Sequence, residues 1–423
     1  MPIKNIQLKS NARRAILFVG ALICIAAMIF FVKTSFGHAI SIRAEQKEIA
    51  DLSISLAPDD PQTHFTSAVL REKSFLAEDL ETSVAEYETA AALSPNDYLL
   101  WLALGKARER NGDARGAEKA LLRAADLAPN YVDVHWTLGN NLLRQGKSEQ
   151  AYDEIRKSAI GSDVYVIPAI DTAWRIFGGD IQKIKQNIGN SPKLNAFLAI
   201  YLNKQERFDD AFEVWNGLSE EMKSETYKGQ SAEVYNQFIS ARKYRYASLV
   251  KTALDAQDGT SMFGKFTNGG FEDNVKKDKI DFFDWQLGTS PQPLVGYDDK
   301  IRHDGNLSLV IIFNSPDGQD FRTISQTIAV EAGKSYTLQT FYKSELKSLG
   351  TLRWEVLNAF DSSAIASTAA TAENTNWTTL DASFTAPENS QAVIINLVRV
   401  KCGSTNCPII GKVWFDDFSL SEK

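Results

Sequence analysis

"FTNGGFED" at residues 266–273 and "VWFDDFSL" at 413–420 bracket the C-terminal part of the chain. The first carries a Phe-Glu pair behind two glycines, and the second a pair of adjacent aspartates. The stretches between them have strand character: "LSLVIIF" (307–313), "ISQTIAV" (324–330), "SYTLQTFYK" (335–343), "LRWEVLNAF" (352–360), "TLDASFTAP" (379–387), "AVIINLVRV" (392–400) and "KVWFDDFSL" (412–420). Turn-formers such as "SPDGQD", "EAGKSY" and "APENSQ" separate them. Short strands at this spacing predict a β-sandwich over 262–423. Alternation assigns the faces. Tyr336, Leu338, Leu352, Trp354 and Val356 read as core, while Gln339, Phe341, Lys343, Arg353 and Glu355 take the other parity.

Upstream the period changes. "YLLWLALGKARERNGDARGAEKALLRAADLAP" (98–129) aligns with "VDVHWTLGNNLLRQGKSEQAYDEIRKSA" (132–159) at an offset of 34 residues. The offset superposes Leu104 on Leu138, Gly105 on Gly139, Gly112 on Gly146, Ala117 on Ala151 and Pro95 on Pro129. Glycine lets two helices approach closely, and proline ends the second helix of each pair. Trp101 and Leu104 share one face of the first helix. Ala117, Leu121 and Ala124 form the facing stripe of the second. Looser copies occupy 55–95, 194–218 and 228–256, while "GSDVYVIPAIDTAWRIFGGD" breaks the period. These residues resemble the tetratricopeptide repeat family, which implies an all-α solenoid over 51–258 with a groove for a protein partner.

The N-terminus predicts a membrane segment. Residues 15–32, "AILFVGALICIAAMIFFV", hold no charged side chain. As a helix they span about 27 Å, near the hydrocarbon thickness of a bilayer. Lys4, Lys9, Arg13 and Arg14 precede the run without an acidic residue, so a tail at 1–14 is expected to stay cytoplasmic. The chain then reads as single-pass in the inner (cytoplasmic) membrane, with a linker at 33–50 and the bulk periplasmic. A cleaved signal is the alternative, because "GHA" at 37–39 suits a cleavage site. The apolar run is nevertheless longer than a usual signal core.

Within the sandwich, "TNGGFED", "DWQ", "HDGNLSLVI", "SQTIAVEAGKSYTL", "NWTTLDASFTAP" and "VWFDDFSL" occur in an order that resembles the jelly-roll carbohydrate-binding modules across 265–421. The resemblance implies that the ends of the domain lie side by side, stapled by a structural calcium on Glu272 and Asp416, which match the family positions. Calcium wants six to eight oxygens, and these two carboxylates with backbone carbonyls and Asp304 would suffice chemically. It also implies a glycan site, for which the outer face with Gln339, Phe341, Lys343, Arg353 and Glu355 is the candidate. Trp285 and Trp377 fall where the family has core tryptophans.

Other chemistry is sparse. Cys402 and Cys407 flank "GSTN" and would close a small disulfide loop in an oxidising compartment. A zinc half-site is the alternative, though His38, His64, His135 and His303 are scattered without ligand spacing. The net charge of −7 argues against a general nucleic-acid binder. No phosphate loop, nucleophile elbow or HExxH occurs. The expected protein is a non-catalytic envelope adaptor for a protein partner and a polysaccharide. The second expectation is a protein–protein scaffold without a glycan ligand.

Overall fold

The computed structural model describes residues 11–74, 76–255, 263–273, 275, 280–315, 321–347, 350–400 and 408–423. It divides into two compact units, Met1–Asn190 and Ser191–Lys423.

The first unit opens on α1 (Asn11–Arg43), whose segment from Arg14 onward is long and apolar enough to cross a bilayer. The helix does not stop at the end of the apolar run. The stretch 33–50, expected as a linker, is helical to Arg43 and again from Lys47, where α2 (Lys47–Leu56) begins. Helix pairs follow: α3 (Pro61–Glu72) with α4 (Ala77–Leu93), α5 (Tyr98–Arg110) with α6 (Ala114–Leu127), and α7 (Val132–Arg144) with α8 (Ser148–Gly161). A shorter pair, α9 (Val166–Phe177) and α10 (Ile181–Ile188), stands where the period breaks.

Local chemistry sets the boundaries. Asp60, Asp97, Asp113 and Asp180 cap α3, α5, α6 and α10 by accepting from backbone N–H groups of the first turn. Gly112 and Gly146 follow α5 and α7 at φ 81° and 76°, the left-handed conformation that ends a helix most cheaply on glycine. The turns leading into α3, α5 and α7 are each tied by the residue six places past their proline. The His64, Trp101 and His135 rings donate to the carbonyls of Pro58, Pro95 and Pro129 at 2.8, 3.1 and 2.7 Å.

The paired glycines have the role their spacing implied. A Cβ on Gly105 would sit 2.6 Å from the Leu121 side chain. One on Gly139 would sit 2.7 Å from Ile155 Cγ1 and 3.0 Å from the Ala151 carbonyl oxygen. That oxygen is backbone and cannot rotate away. Gly139→Val is therefore expected to cost about 1–3 kcal/mol through overpacking. A urea titration followed by circular dichroism reads this directly, and an unchanged midpoint would refute the close approach.

The second unit holds α11 (Pro192–Lys204), α12 (Phe208–Asn216), α13 (Lys228–Ser240), α14 (Tyr244–Leu254) and the β-sandwich. The helices are joined to the sandwich by specific contacts. Tyr235 donates to Asp281 at 2.8 Å, and Lys251 pairs with the same carboxylate at 3.3 Å. Tyr244 stacks on Phe282 at 5.1 Å, and Arg242 donates to the Phe360 carbonyl at 2.7 Å.

The sandwich has two antiparallel five-stranded sheets, in a jelly-roll arrangement. One runs β1 (Gln286–Leu287), β4 (Ile324–Ala329), β9 (Ala392–Val400), β6 (Thr351–Asn358), β7 (Ala364–Ser367). The other runs β2 (Leu294–Asp298), β3 (Ser308–Ser315), β10 (Ile409–Glu422), β5 (Ser335–Leu346), β8 (Asn374–Thr385). The inward parity is the expected one, with Tyr336, Leu338, Leu352, Trp354 and Val356 all buried. "FTNGGFED" packs beside "VWFDDFSL". The Phe418 N–H donates to the Gly269 carbonyl at 2.9 Å, and a Cβ on Gly269 would collide with the Phe418 carbonyl oxygen.

Candidate functional site

On β5 the odd-numbered residues face outward. Gln339 is exposed, and Phe341 and Lys343 are half-buried. Arg353 and Glu355 also face outward, but on β6 and so on the opposite sheet. The expectation that all five line one concave face is corrected here. The chain crosses between sheets after Leu346, so β5 pairs with β10 and β8 while β6 pairs with β9 and β7. Arg353 and Glu355 instead bond to each other at 2.6 Å.

What joins Phe341 comes from a loop and from the neighbouring strand. The loop 299–307 after β2 folds over the outer face of the second sheet. Asp298 starts it by accepting from the Lys300 and Ile301 N–H groups at 2.9 and 3.1 Å, a local turn typical of aspartate. Its other oxygen accepts from the indole of buried Trp414 at 2.9 Å. The loop then lays the His303 ring on Phe341, with centroids 3.7 Å apart and planes 14° from parallel. Trp377 of β8 meets His303 edge-on at 5.6 Å. Trp377 was expected in the core. It is half-buried on the outer face, where β8 slips its register against β5 between Thr378 and Thr375 and both Asn376 and Trp377 reach residues of that face.

Two adjacent aspartates fix the histidine. Asp416 Oδ2 accepts from the His303 backbone N–H at 2.9 Å, and Asp417 Oδ2 lies 2.6 Å from His303 Nδ1. On a regular strand neighbouring side chains diverge. Here β10 carries a bulge between Asp416 and Ser419, with Asp417 at φ 49°, which turns both carboxylates to one residue. The result is an aromatic step, His303 on Phe341 beside Trp377, flanked by polar groups. Lys343 reaches Asn376 at 3.4 Å, and Gln339 lies opposite Asp381 and Ser419 in the ladder.

The carboxylates read as calcium ligands are engaged otherwise. Glu272 accepts from the N–H groups of Asn306 and Leu307 and from the Asn306 amide at 2.9–3.2 Å, and these bonds hold its carboxyl below the usual range. Asp416 takes N–H donors on both oxygens, and Asp304 Oδ1 takes the Gly305 N–H at 2.8 Å. These N–H donors satisfy the three carboxylates within the protein itself. Among the described residues no group of three or more metal-ligating side chains converges. In this structure the two ends of the domain are closed by protein contacts alone. A chelator such as EGTA is expected to leave the melting temperature unchanged, and a calcium-dependent rise would reverse this reading. Cys402 and Cys407 lie outside the described residues.

Burial pushes the Asp416 carboxyl up to about 6, against the pull of the His303 N–H, and the Asp417 charge pushes it the same way. The folded state therefore holds this proton to a higher pH than the unfolded chain, whose value is near 3.8. The group's contribution to stability is full below about pH 4 and is lost as pH rises toward 6. Asp416→Asn should flatten that part of the melting-temperature profile. A variant that keeps the parent's slope between pH 4 and 6 would refute the assignment.

Residues 264–399 match the family model described as a carbohydrate binding domain. No curated protein matches the chain. Solved structures resemble parts of it. One described as "CBM4 structure and function" is 18% identical with a TM-score of 0.29, covering 37% of this chain and 99% of its own. A galactotriose complex of TmCBM61 is 13% identical with a TM-score of 0.28, covering 38% and 99%. A crystal structure of MamA is 16% identical with a TM-score of 0.31, covering 39% and 89%. Likenesses at these scores carry no functional weight.

Proposed function

We propose that this protein is a membrane-anchored, non-catalytic adaptor whose β-sandwich binds a saccharide and whose helical array holds a protein partner, in envelope or exopolysaccharide assembly. The observation that carries the saccharide reading is the aromatic step of His303, Phe341 and Trp377 on an outer sheet face, edged by Lys343, Asn376 and Gln339. Sugar rings present flat C–H faces to aromatic rings and hydroxyls to polar neighbours. A face used only as scaffold has no need of that mixture. The family match over 264–399 supports the same ligand class.

The partner half rests on the helical array. A cavity of ≈580 Å³ opens on the first helices of two repeats, lined by Lys106, Trp136, Asn140, Arg144 and Tyr165 among others. Trp136 and Tyr165 pack at 5.1 Å and form its aromatic wall. In this reading α1 spans the inner membrane, the N-terminus is cytoplasmic and the bulk is periplasmic. Tethering gives a weak saccharide module a high effective concentration near its partner without tight intrinsic affinity.

The test is a calorimetric titration of the full-length protein in nanodiscs against the host's surface polysaccharides and neutral oligosaccharide series. Saturable binding supports the adaptor. No binding by folded protein would favour the scaffold without a glycan ligand.

A further inference from the structure

We infer that the turn between α2 and α3, residues 57–60, together with Phe36, is a membrane-surface contact that seats the first helix pair on the lipid headgroups. The inference rests on reading α1 as a membrane span. Its own content is a height, which follows from how α2 returns along α1. Gly37 gives the clearest mark. A Cβ there would lie 2.9 Å from Ala57 Cβ and 3.0 Å from Leu56 Cβ, so the end of α2 lies against α1 at that level. His38 Nδ1 lies 2.6 Å from Asp60 Oδ2, which places the start of α3 at the same level. Ser41, Ala50, Ser53 and Ala57 are all buried in this unit.

Helical rise converts these contacts into depth. Gly37 and His38 are five and six residues beyond Val32, the end of the uncharged run, or roughly 8–9 Å at 1.5 Å per residue. A bilayer's headgroup layer adds about 5–8 Å to each side of its hydrocarbon core. The α2–α3 turn, with exposed Pro58 and Asp59, therefore sits at the outer edge of the headgroup layer, where it meets the headgroups. Phe36 is 60% exposed and four residues past Val32, about 6 Å, inside that layer. The α1–α2 turn at 44–46 stands on the far side, about 18–21 Å above the core. The array is thus mounted on the bilayer by a packed helix hairpin, where the sequence alone suggested a linker.

The experiment measures depth. Full-length protein with Cys402→Ser and Cys407→Ser is placed in phosphatidylcholine nanodiscs carrying spin labels either at the headgroup or deep in the acyl chain. A fluorescent thiol probe is read at native Cys24, and, with Cys24→Ser, at Asp59→Cys or at Glu45→Cys. All three positions are exposed. The expected result is strongest deep quenching at 24, headgroup quenching at 59, and at least about threefold less at 45. Deep quenching at 24 with equal, weak quenching at 59 and 45 would overturn the seat while leaving the span intact. Absence of deep quenching at 24 would overturn the span reading and the seat with it. Pro58→Cys serves as a second reporter of the same turn.

Discussion

Replacing Trp377 with alanine is expected to weaken saccharide binding by about ten- to a hundredfold, or ~1.4 kcal/mol per decade. The side chain is half-buried on the sheet's outer face, so its removal takes away a stacking surface and leaves the inter-sheet core alone. His303→Ala should lose as much by another route. The imidazole covers Phe341, and Asp417 holds the ring in place. Buried aromatic anchors commonly dominate such interfaces. Arg353→Ala is the control, since Arg353 lies on the opposite sheet and pairs only with Glu355 among the described contacts. Calorimetry on the full-length variants separates the cases. A Trp377 variant that binds like the parent, or an Arg353 variant that loses affinity, would place the site elsewhere.

The sequence made some of this site legible and hid the rest for identifiable reasons. Alternation gave the outward parity of Gln339, Phe341 and Lys343 because β5 is long and regular. Trp377 sits at a register slip of β8 against β5, a local irregularity that alternation does not announce. The family resemblance placed it in the core and misled. His303 was invisible to any local pattern. It is more than thirty residues from Phe341 in sequence and reaches it through a loop fixed by Asp416, Asp417 and Glu272. Sheet membership was equally hidden. Strands that follow one another invite a hairpin, and nothing between Leu346 and Thr351 announces a crossing to the other sheet. In the helical unit the reverse held. Period and close-packed glycines are local features, so two of the repeats could be phased residue by residue.

Trp285→Ala is expected to cost the second unit about 3–5 kcal/mol, the usual range for truncating a buried tryptophan. The effect follows from how the ends of the sandwich meet. Trp285 is 2% exposed and touches Phe266, Phe271, Trp354 and Phe418, with ring centroids 5.1–5.9 Å apart. Phe266 and Phe271 belong to the opening stretch and Phe418 to the closing one, so a single side chain joins both ends of the domain. Its indole N–H also donates to the Asn268 carbonyl at 3.2 Å, an acceptor the variant would leave without that partner. Because α13 and α14 are tied to the sandwich through Tyr235, Lys251 and Tyr244, the loss should reach the helices as well. Urea unfolding followed by near-ultraviolet and far-ultraviolet circular dichroism tests both parts. The aromatic signal and the part of the helical signal owed to α11–α14 should shift together to lower urea. An unshifted aromatic transition would mean that the ends are held by something other than this cluster. If chelation cost as much as Trp285→Ala, a metal on Glu272 and Asp416 would be that other closure. The aromatic contacts and the occupied carboxylates favour closure by packing.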